Sequence, residues 1–245
     1  MLDFFRALSP RSAITYGLWR LSGRKRDVHV RTRLGPVIEL RPTLFGDRRN
    51  NDFGVAYEIF VLDLYGDELG LDSAKVRRVV DLGANVGFSC LYWLARFPEC
   101  KLDAYEPHPG HARQAARNIG LNGASHRVKL NQAGAGAKAR NASLSDRGSG
   151  STIGDGGDID IAIVDVFPDL LNTPLDILKM DIEGGEYELM EDPRFAQINA
   201  RAIFMEWHQC GAQGLVWCRD RLQALGYRVV TATDDGGHGM ITAMR

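Results

Sequence analysis

One segment gives the strongest indication of the fold: Arg78-Val79-Val80-Asp81-Leu82-Gly83-Ala84-Asn85-Val86-Gly87-Phe88. Its first half is short and rich in β-branched residues, which is typical of a buried strand in a parallel sheet. Gly83 allows a sharp turn, and Gly87 allows the next helix to lie close to the strand or to a ligand. The stretch therefore predicts a strand, a glycine turn and a helix from about residue 86 to residue 97. The free N–H groups at such a helix N-terminus favour ligand binding.

A second strand is predicted at residues 101–106, and it ends in the acid Glu106. Glu106 lies 19 positions after Gly87, near the spacing at which a carboxylate binds ribose hydroxyls. The other interpretation is that Glu106 caps the helix that begins near Pro107 or Pro109. The order of strand, glycine turn, helix, strand and acid indicates a nucleoside cofactor.

The glycine turn also indicates which nucleoside cofactor fits. A dinucleotide fingerprint requires glycine at relative positions 0, 2 and 5, and these positions hold Gly83, Asn85 and Phe88. Asp81 adds negative charge beside the turn, which opposes a diphosphate but suits a cationic sulfonium. S-adenosylmethionine therefore fits better than NAD.

Four segments follow one another in a characteristic order. They are Val80-Asp81-Leu82-Gly83-Ala84-Asn85-Val86-Gly87, then Tyr105-Glu106-Pro107, then Leu178-Lys179-Met180-Asp181-Ile182-Glu183-Gly184-Gly185-Glu186, then Glu206-Trp207-His208. Over roughly residues 55 to 210, this order resembles the FkbM-type methyltransferase family. The resemblance implies an α/β, Rossmann-like class I methyltransferase fold. It further implies a mostly parallel seven-stranded sheet with helices on both faces and methylation of hydroxyl groups of natural products and sugars.

The resemblance also implies where S-adenosylmethionine binds. The implied cofactor-binding residues are Asp81, Gly83, Ala84, Asn85, Gly87, Phe88, Glu106, Pro107, Gln132, Ala133 and Asp181. Gln132 and Ala133 follow the third predicted strand, residues 127–130, where adenine is reached in this fold. Tyr57 and Glu58 have two interpretations, as contacts of the cofactor pocket or as surface residues of a packing helix.

Charged residues interrupt the fourth predicted strand, residues 175–182. Lys179 and Asp181 share a face because strand side chains alternate. A buried charge is costly unless it is paired, so two on one face indicate either a site or a structural ion pair. Glu186 begins a short predicted helix, where a carboxylate suits the helix dipole.

The fifth predicted strand, residues 202–206, brings Glu206 and His208 to one side. Methyl transfer to a hydroxyl needs a base, because an alcohol does not ionise unaided. His208 is the best candidate, since the pKa of a histidine lies nearest to neutral pH. Glu206 or Asp181 would orient its ring.

A metal-assisted reaction is the alternative at this sheet edge. Asp181, Glu183, Glu206 and His208 are acceptable ligands for Mg²⁺ or a similar ion. No short-spaced ligand motif supports such a site and the resemblance does not require it, so no metal is predicted.

Composition bounds the remaining function classes. The chain has 245 residues with 44% hydrophobic content, enough for one large α/β domain. Lys and Arg number 30 against 31 Asp and Glu, a net charge of −1, which does not favour a polyanionic partner. A nucleic-acid methyltransferase is further disfavoured because no Asn-Pro-Pro-Tyr-like segment follows the fourth strand.

Cysteine spacing and hydropathy bear on location. Cys90, Cys100, Cys210 and Cys218 show no paired close spacing, which argues against a zinc or redox site and favours reduced thiols. No apolar run reaches the roughly 18 residues of a spanning helix, and the N-terminus lacks a secretory signal pattern. We therefore predict a cytoplasmic protein.

An N-terminal extension over residues 1–70 is predicted to precede the methyltransferase domain of residues 71–245. Residues 2–22 are predicted helical, with a break at Ser9-Pro10, and a hairpin follows at residues 28–33 and 37–40. Residues 41–54 are predicted to be a loop. The helical segment is locally basic, and two interpretations stand: a packing arm or homodimer contact, or a membrane-surface helix that meets a lipid-linked substrate.

Three later segments complete the prediction. A helix at residues 109–118 is predicted to stop at Gly120 with Leu121 as its hydrophobic clasp. Residues 133–160 are glycine-rich and predict a surface excursion with a hairpin, which is either a solvated loop or a lid over the substrate. A helix after residue 215 and two closing strands end the chain. An NAD-dependent oxidoreductase and a non-catalytic cofactor-binding module remain as alternative functions.

Overall fold

A seven-stranded mixed sheet forms the centre of the protein, seen in a computed structural model that describes residues 2–23, 26–42, 51–66, 69–145, 153–154 and 157–245. The strand order is β12-β13-β11-β10-β3-β4-β5. The five strands from β11 to β5 run parallel, and β13 pairs antiparallel with both β11 and β12. The strands are β3 Arg78–Leu82, β4 Lys101–Tyr105, β5 Val128–Asn131, β10 Leu175–Met180, β11 Ala200–His208, β12 Arg228–Ala232 and β13 His238–Met244.

Both faces of this sheet are buried under helices. Val79 and Val80 are neighbours in β3 and are both fully buried, but they belong to two different hydrophobic clusters. This follows from the alternation of strand side chains, which turns successive residues to opposite faces. The helices are α1 Leu2–Ala7, α2 Pro10–Leu21, α3 Asp52–Phe60, α4 Phe88–Arg96, α5 Pro109–Leu121, α6 Phe167–Leu171, α7 Glu186–Glu191, the 3₁₀ helix Pro193–Gln197 and α8 Leu215–Ala224.

The N-terminal extension packs onto one face of the sheet. Helices α1 and α2 are separated at Ser9-Pro10, as predicted, and β1 Val28–Arg31 pairs antiparallel with β2 Val37–Leu40. Asn118 and Asn122 of α5 exchange hydrogen bonds with the backbone of β2. The hydrophobic core of the extension is therefore continuous with that of the sheet.

The glycine-rich segment contributes a second, small sheet. Its order is β6-β9-β7-β8, and β7 pairs antiparallel with β9, which confirms the predicted hairpin. Within the predicted excursion, residues 146–152, 155 and 156 lie outside the described part of the chain. Ile153 and Gly154 are described and form β8. The strands are β6 Gly134–Gly136, β7 Arg140–Leu144, β8 Ile153–Gly154 and β9 Ile159–Asp165.

Two predicted boundaries were wrong. Helix α5 continues through Gly120 to Leu121, and the left-handed residue that follows it is Gly123, with a φ of 64°. Leu121 is 44% exposed and so does not clasp the helix end. The predicted loop at residues 41–54 is also shortened, because α3 begins at Asp52; residues 43–50 of that loop lie outside the described part. Asp52 is held by Arg41 through paired hydrogen bonds, a tertiary contact without a local signal.

Candidate active site

The carboxyl ends of three neighbouring strands, β3, β10 and β11, open into one cavity of about 330 Å³. Ligand sites in open α/β sheets lie at this edge. Helix α3 of the extension supplies the opposite wall. The cavity is lined by Asn51, Val55, Glu58, Ile59, Leu64, Tyr65, Gly83, Ala84, Asn85, Ser89, Lys179, Asp181, Glu183, Glu206, His208 and His238.

The glycine turn after β3 lies directly against the turn after β10. Gly83 has a φ of 84°, and a Cβ there would overlap the carbonyl oxygen of Asp181. Asn85 also has a positive φ, of 49°, a conformation in which non-glycine residues are uncommon. Gly87 closely approaches Ala115 of α5, where a Cβ would be 3.0 Å from the Ala115 Cα. The close approach predicted for Gly87 is therefore to the following helix.

Lys179 joins the two turns from below the cavity. Its Nζ lies 3.2 Å from Oδ1 of Asp81 and 3.5 Å from Oδ2 of Asp181, and it donates to the Gly83 carbonyl oxygen at 2.5 Å. Burial lowers the pKa of Lys179, but the charges of Asp81 and Asp181 raise it well above its usual value. The two interpretations of this charge pair therefore hold together, because the ion pair lines the cavity.

Asp81 is fully buried and does not line the cavity. One of its carboxylate oxygens accepts a hydrogen bond from the Ser89 hydroxyl at 2.6 Å, and the other faces Lys179. The predicted cofactor contact at Phe88 is also fully buried, and its ring packs 6.3 Å from that of Phe60. Both side chains lie beneath the turn, so the backbone of Gly83, Ala84 and Asn85 is what faces the cavity at this point.

Glu106 directly follows β4 and joins the glycine turn to the start of the next helix. Its Oε2 accepts from the Asn85 amide and its Oε1 from the His108 amide, each at 2.8 Å. The side chain is only 6% exposed, and burial raises its pKa to about 7. A carboxylate has about four acceptor sites, so each oxygen can still accept one further hydroxyl. Pro107 follows half-buried; both residues are absent from the described cavity lining.

His208 lies at the end of β11 among three carboxylates. Its Nε2 is 3.4 Å from Oε2 of Glu183 and 3.8 Å from Oε1 of Glu206, and its Nδ1 is 3.8 Å from Oε1 of Glu186. Tyr187 fixes the backbone here, because its hydroxyl donates to the His208 carbonyl oxygen at 2.6 Å. The structure thus brings together Asp181, Glu206 and His208, the three predicted catalytic residues, on one cavity wall.

This crowding shifts the proton affinity of the whole cluster. Burial and the charge of Asp181 raise the pKa of Glu206 to about 8 and that of Glu183 to about 7. Burial lowers the pKa of His208, but the neighbouring Glu186, Glu183 and Glu206 raise it more, to about 9. His208 and its carboxylates therefore share protons near neutral pH.

Glu186 has a structural task that differs from a simple dipole cap. Its side chain is fully buried, and its two oxygens accept from the amides of Ile182 at 2.8 Å and Gly184 at 2.9 Å. It thereby fixes the turn that carries Glu183, whose φ is 55°.

The same cluster has the donor set of a cation site. Asp181, Glu206 and His208 each offer one ligand atom, and these atoms lie within 4.8 Å of one another. Oxygen and imidazole ligands of this kind suit Mg²⁺ and Mn²⁺ or zinc.

The remaining predicted residues lie elsewhere. Gln132 is exposed and Ala133 is buried after β5, and neither is among the described residues of the cavity wall. Glu58 lines the cavity, and burial followed by the charge of Asp181 raises its pKa. Tyr57, one residue earlier, lines a different cavity, which lies within the extension between α1, the turn after β1 and α3.

Five cavity-lining polar residues were not predicted as site residues: Asn51, Tyr65, Ser89, Lys179 and His238. Lys179 had a signal, a charge in a buried strand. His238 pairs in register with His208, and its position depends on an antiparallel register that no sequence motif fixes.

None of the described helices combines the length and the apolar character that spanning a bilayer requires.

Comparison with known proteins agrees with this architecture. A family model described as the methyltransferase FkbM domain matches residues 81–229, more than half of the chain. Methyltransferase sdnD of Sordaria araneosa is 39% identical over 61 residues. That match covers 25% of this chain and 24% of the relative, so the chain aligns with only about a quarter of its length.

Two solved structures are similar to the protein. A SAM dependent methyltransferase from Agrobacterium tumefaciens has a TM-score of 0.52 at 10% identity, covering 90% of this chain and 70% of that one. A methyltransferase FkbM from Methylobacillus flagellatus KT has a TM-score of 0.48 at 14% identity, covering 71% of this chain and 44% of that one. At 10% identity, the similarity to the structure from Agrobacterium tumefaciens shows the fold alone. That fold is the predicted Rossmann-like class I methyltransferase fold.

Proposed function

This chain belongs to the FkbM methyltransferase family, and we propose that it transfers a methyl group from S-adenosylmethionine to a hydroxyl oxygen of a sugar, glycolipid or other natural product. The observation that carries the proposal is the shared cavity: the glycine turn at Gly83 and the proton-sharing cluster at His208 line the same space.

The charges of the cavity suit a cationic cofactor. Asp181, Glu183 and Glu206 line it, whereas Lys179 is committed to Asp81 and Asp181. Although Glu183 and Glu206 share protons with His208, the carboxylates of the lining outnumber its cations. An acidic cavity attracts a sulfonium and repels a diphosphate, which supports S-adenosylmethionine over NAD. Glu106, with one free acceptor site on each oxygen, fits two vicinal ribose hydroxyls.

When bound, S-adenosylmethionine supplies an electrophilic methyl group. The protein must then align the acceptor oxygen and remove its proton as the oxygen loses charge. We assign the proton to His208 in its neutral form, with Glu206 and Glu183 orienting the ring from 3.8 and 3.4 Å. Because the pKa of His208 is raised to about 9, the neutral form is a minority at pH 7, unlike the ordinary histidine expected from sequence.

Two rival functions make different demands. An NAD-dependent oxidoreductase would have to hold a pyrophosphate among the carboxylates of this cavity. A non-catalytic module would bind S-adenosylmethionine but would leave the cluster at His208 without a task.

The experiment is a methylation assay with methyl-deuterated S-adenosylmethionine and a panel of free sugars, glycolipids and hydroxylated aromatic compounds. We expect one acceptor to gain a single labelled methyl group, located on oxygen by fragmentation in the mass spectrometer. Cofactor binding without transfer to any member of the panel would favour the non-catalytic module, and labelled nitrogen or carbon would contradict O-methylation.

A chelation arm separates the two interpretations of the acidic cluster. We expect turnover to survive treatment with EDTA, since the proposed mechanism needs no cation. A loss that added Mg²⁺ restores would instead assign Asp181, Glu206 and His208 as cation ligands.

A further inference from the structure

Helix α2 exposes an apolar stripe to solvent. Ile14, Leu18 and Leu21 are 66%, 63% and 87% exposed, and their spacing of four and three residues places them on one face of the helix. Pro10, Arg11 and Thr15 are the other exposed residues of this helix. Large aliphatic side chains grouped in this way are uncommon on a free surface and indicate a partner.

The opposite face of α2 holds the helix firmly in place. The Tyr16 ring lies 5.0 Å from that of Phe4 and stacks 6.1 Å from that of Phe53. Trp19 is buried, and its indole N–H donates to the Arg26 carbonyl oxygen at 2.5 Å. Because the aromatic face is packed into the core, the aliphatic stripe cannot turn inward to become buried.

The charge of this region is opposite to that of the rest of the chain. Residues 1–33 contain eight lysines and arginines and two aspartates, a net charge of +6, whereas the whole chain carries −1. Arg11 is exposed on α2 three residues before Ile14, and Arg6 is exposed on α1, where it lies 3.3 Å from Asp3. Basic side chains that flank an apolar helix face are the pattern of helices that lie on anionic lipid.

We propose that α2 docks this protein on the surface of an anionic lipid membrane, with Ile14, Leu18 and Leu21 inserted and the surrounding arginines at the headgroups. A second copy of the chain fits this face less well. A two-fold contact would place the same surface against itself, so two regions of +6 would face each other. Three aliphatic side chains also fall short of the roughly 800 Å² per partner that stable interfaces bury.

Docking through α2 would bring the bilayer near the candidate active site. Phe53 of α3 contacts Phe4 and Tyr16 of the extension, and Val55, Glu58 and Ile59 of the same helix line the cavity. Helices α2 and α3 thus lie between the exposed stripe and the candidate site. A lipid-linked acceptor fits this placement; that point rests on the proposed function, whereas the docking itself does not.

The test is co-sedimentation of the intact chain with vesicles, without cofactor or acceptor. One set contains equal parts of phosphatidylglycerol and phosphatidylcholine, and the other contains phosphatidylcholine alone. We expect binding to the anionic set only, weakening with added salt. The triple variant I14S/L18S/L21S should bind at least about tenfold more weakly.

Two further variants make the test specific. R6Q/R11Q removes charge and leaves the stripe intact, so it should also weaken binding to the anionic vesicles. V216S removes an aliphatic side chain of similar exposure, 59%, from α8, and its binding should equal that of the unmodified protein. Thermal unfolding by circular dichroism verifies that each variant is folded.

Three results would overturn the proposal. The first is an unmodified protein that binds neither vesicle set. The second is a folded triple variant that binds as well as the unmodified protein. The third is a dimer, seen by light scattering, that the triple variant dissociates while neither protein binds vesicles, because the stripe would then be a contact between two copies.

Discussion

His208 differs from an ordinary histidine because carboxylates of Glu183, Glu186 and Glu206 surround its ring. Sequence parity correctly predicted that Glu206 and His208 face one side. It could not show the contribution of Glu183 and Glu186, which come from a turn whose path depends on the buried Glu186 side chain. The consequence is a base with a pKa near 9, against 6.5 for a free histidine.

His208→Ala should separate chemistry from binding. We expect turnover to fall by roughly 10²–10⁴-fold, the usual effect of losing a general base, with cofactor affinity within a few-fold of normal. In the unmodified enzyme, turnover should rise with pH up to about 9, because only the neutral imidazole accepts a proton. Single-turnover rates at several pH values measure both effects.

His238→Ala is the matched control, because His238 pairs in register with His208 and lines the same cavity. It should keep most of the turnover. Near-normal turnover in folded His208→Ala would rule out the general-base role, and Asp181 and Glu183 would be tested next.

Glu106 has more structural contacts than its position at a strand end suggests. Glu106→Ala should weaken S-adenosylmethionine binding by about 2–3 kcal/mol, the scale of hydrogen bonds to a charged group. It should also lower the free energy of unfolding by about 1–3 kcal/mol, since two backbone amides lose their acceptor. The capping interpretation anticipated the bond from His108, the N-cap residue of α5, whereas the bond from Asn85 had no local signal in the sequence. Calorimetric titration and urea unfolding measure the two quantities.

Asp103→Ala provides the comparison for Glu106. Asp103 lies in β4, three residues before Glu106, and pairs at 2.7 Å with Arg78, at the opposite end of β3 from the glycine turn. Its removal should change stability without changing affinity. A folded Glu106→Ala protein with unchanged affinity would refute the ribose assignment.

At the scale of elements, the turns after β3 and β10 form one unit. Gly83→Ala should prevent their contact, because the new Cβ would overlap the Asp181 carbonyl oxygen and the backbone has a φ of 84°. We expect loss of measurable cofactor binding and a lower melting temperature. Gly123→Ala shares a positive φ, of 64°, with no atom within 4 Å of the added Cβ. It should cost only about 1 kcal/mol, and its cofactor affinity should be normal. Equal affinities in both variants would contradict the coupling of the two turns.

The elements of the sheet could be predicted because their signals are local. A run of β-branched residues predicted β3, an apolar run interrupted by charges predicted β10, and the break at Ser9-Pro10 predicted two N-terminal helices. The predicted end of α5 and the predicted start of α3 were wrong, because tertiary contacts set these helix boundaries. Gly120 is tolerated inside α5 because Asn118 and Asn122 fasten that helix to β2, and Asp52 joins α3 through Arg41.

At the scale of the whole molecule, the raised pKa values of four buried or half-buried groups predict how stability depends on pH. The pKa values of His208, Glu206, Glu183 and Glu106 are raised to about 9, 8, 7 and 7. Between about pH 5 and 9 the folded state therefore holds more protons than the unfolded state, so stability falls as pH rises. Glu39 and Asp192, whose pKa values are lowered, are ionised in both states over this window and add no slope.

We expect the melting temperature to be at least about 3 °C lower at pH 9 than at pH 6, the scale of 1 kcal/mol for a domain of this size. Differential scanning calorimetry in buffers of constant ionic strength measures it. The double variant Glu206→Gln/His208→Ala removes two of the groups and should show a shallower slope. A melting temperature that is flat or rises over this range would show that the cluster does not hold extra protons in the folded state.

Binding of S-adenosylmethionine is the property on which the proposed function depends. The proposed roles of the acidic cavity and of Glu106 both require it. The measurement is isothermal titration calorimetry of the intact chain with S-adenosylmethionine and with S-adenosylhomocysteine. We predict one site for each ligand, at least about 30-fold weaker in Glu106→Ala and nearly unchanged in His208→Ala. The absence of binding by either ligand to the folded, unmodified protein would contradict the proposed function.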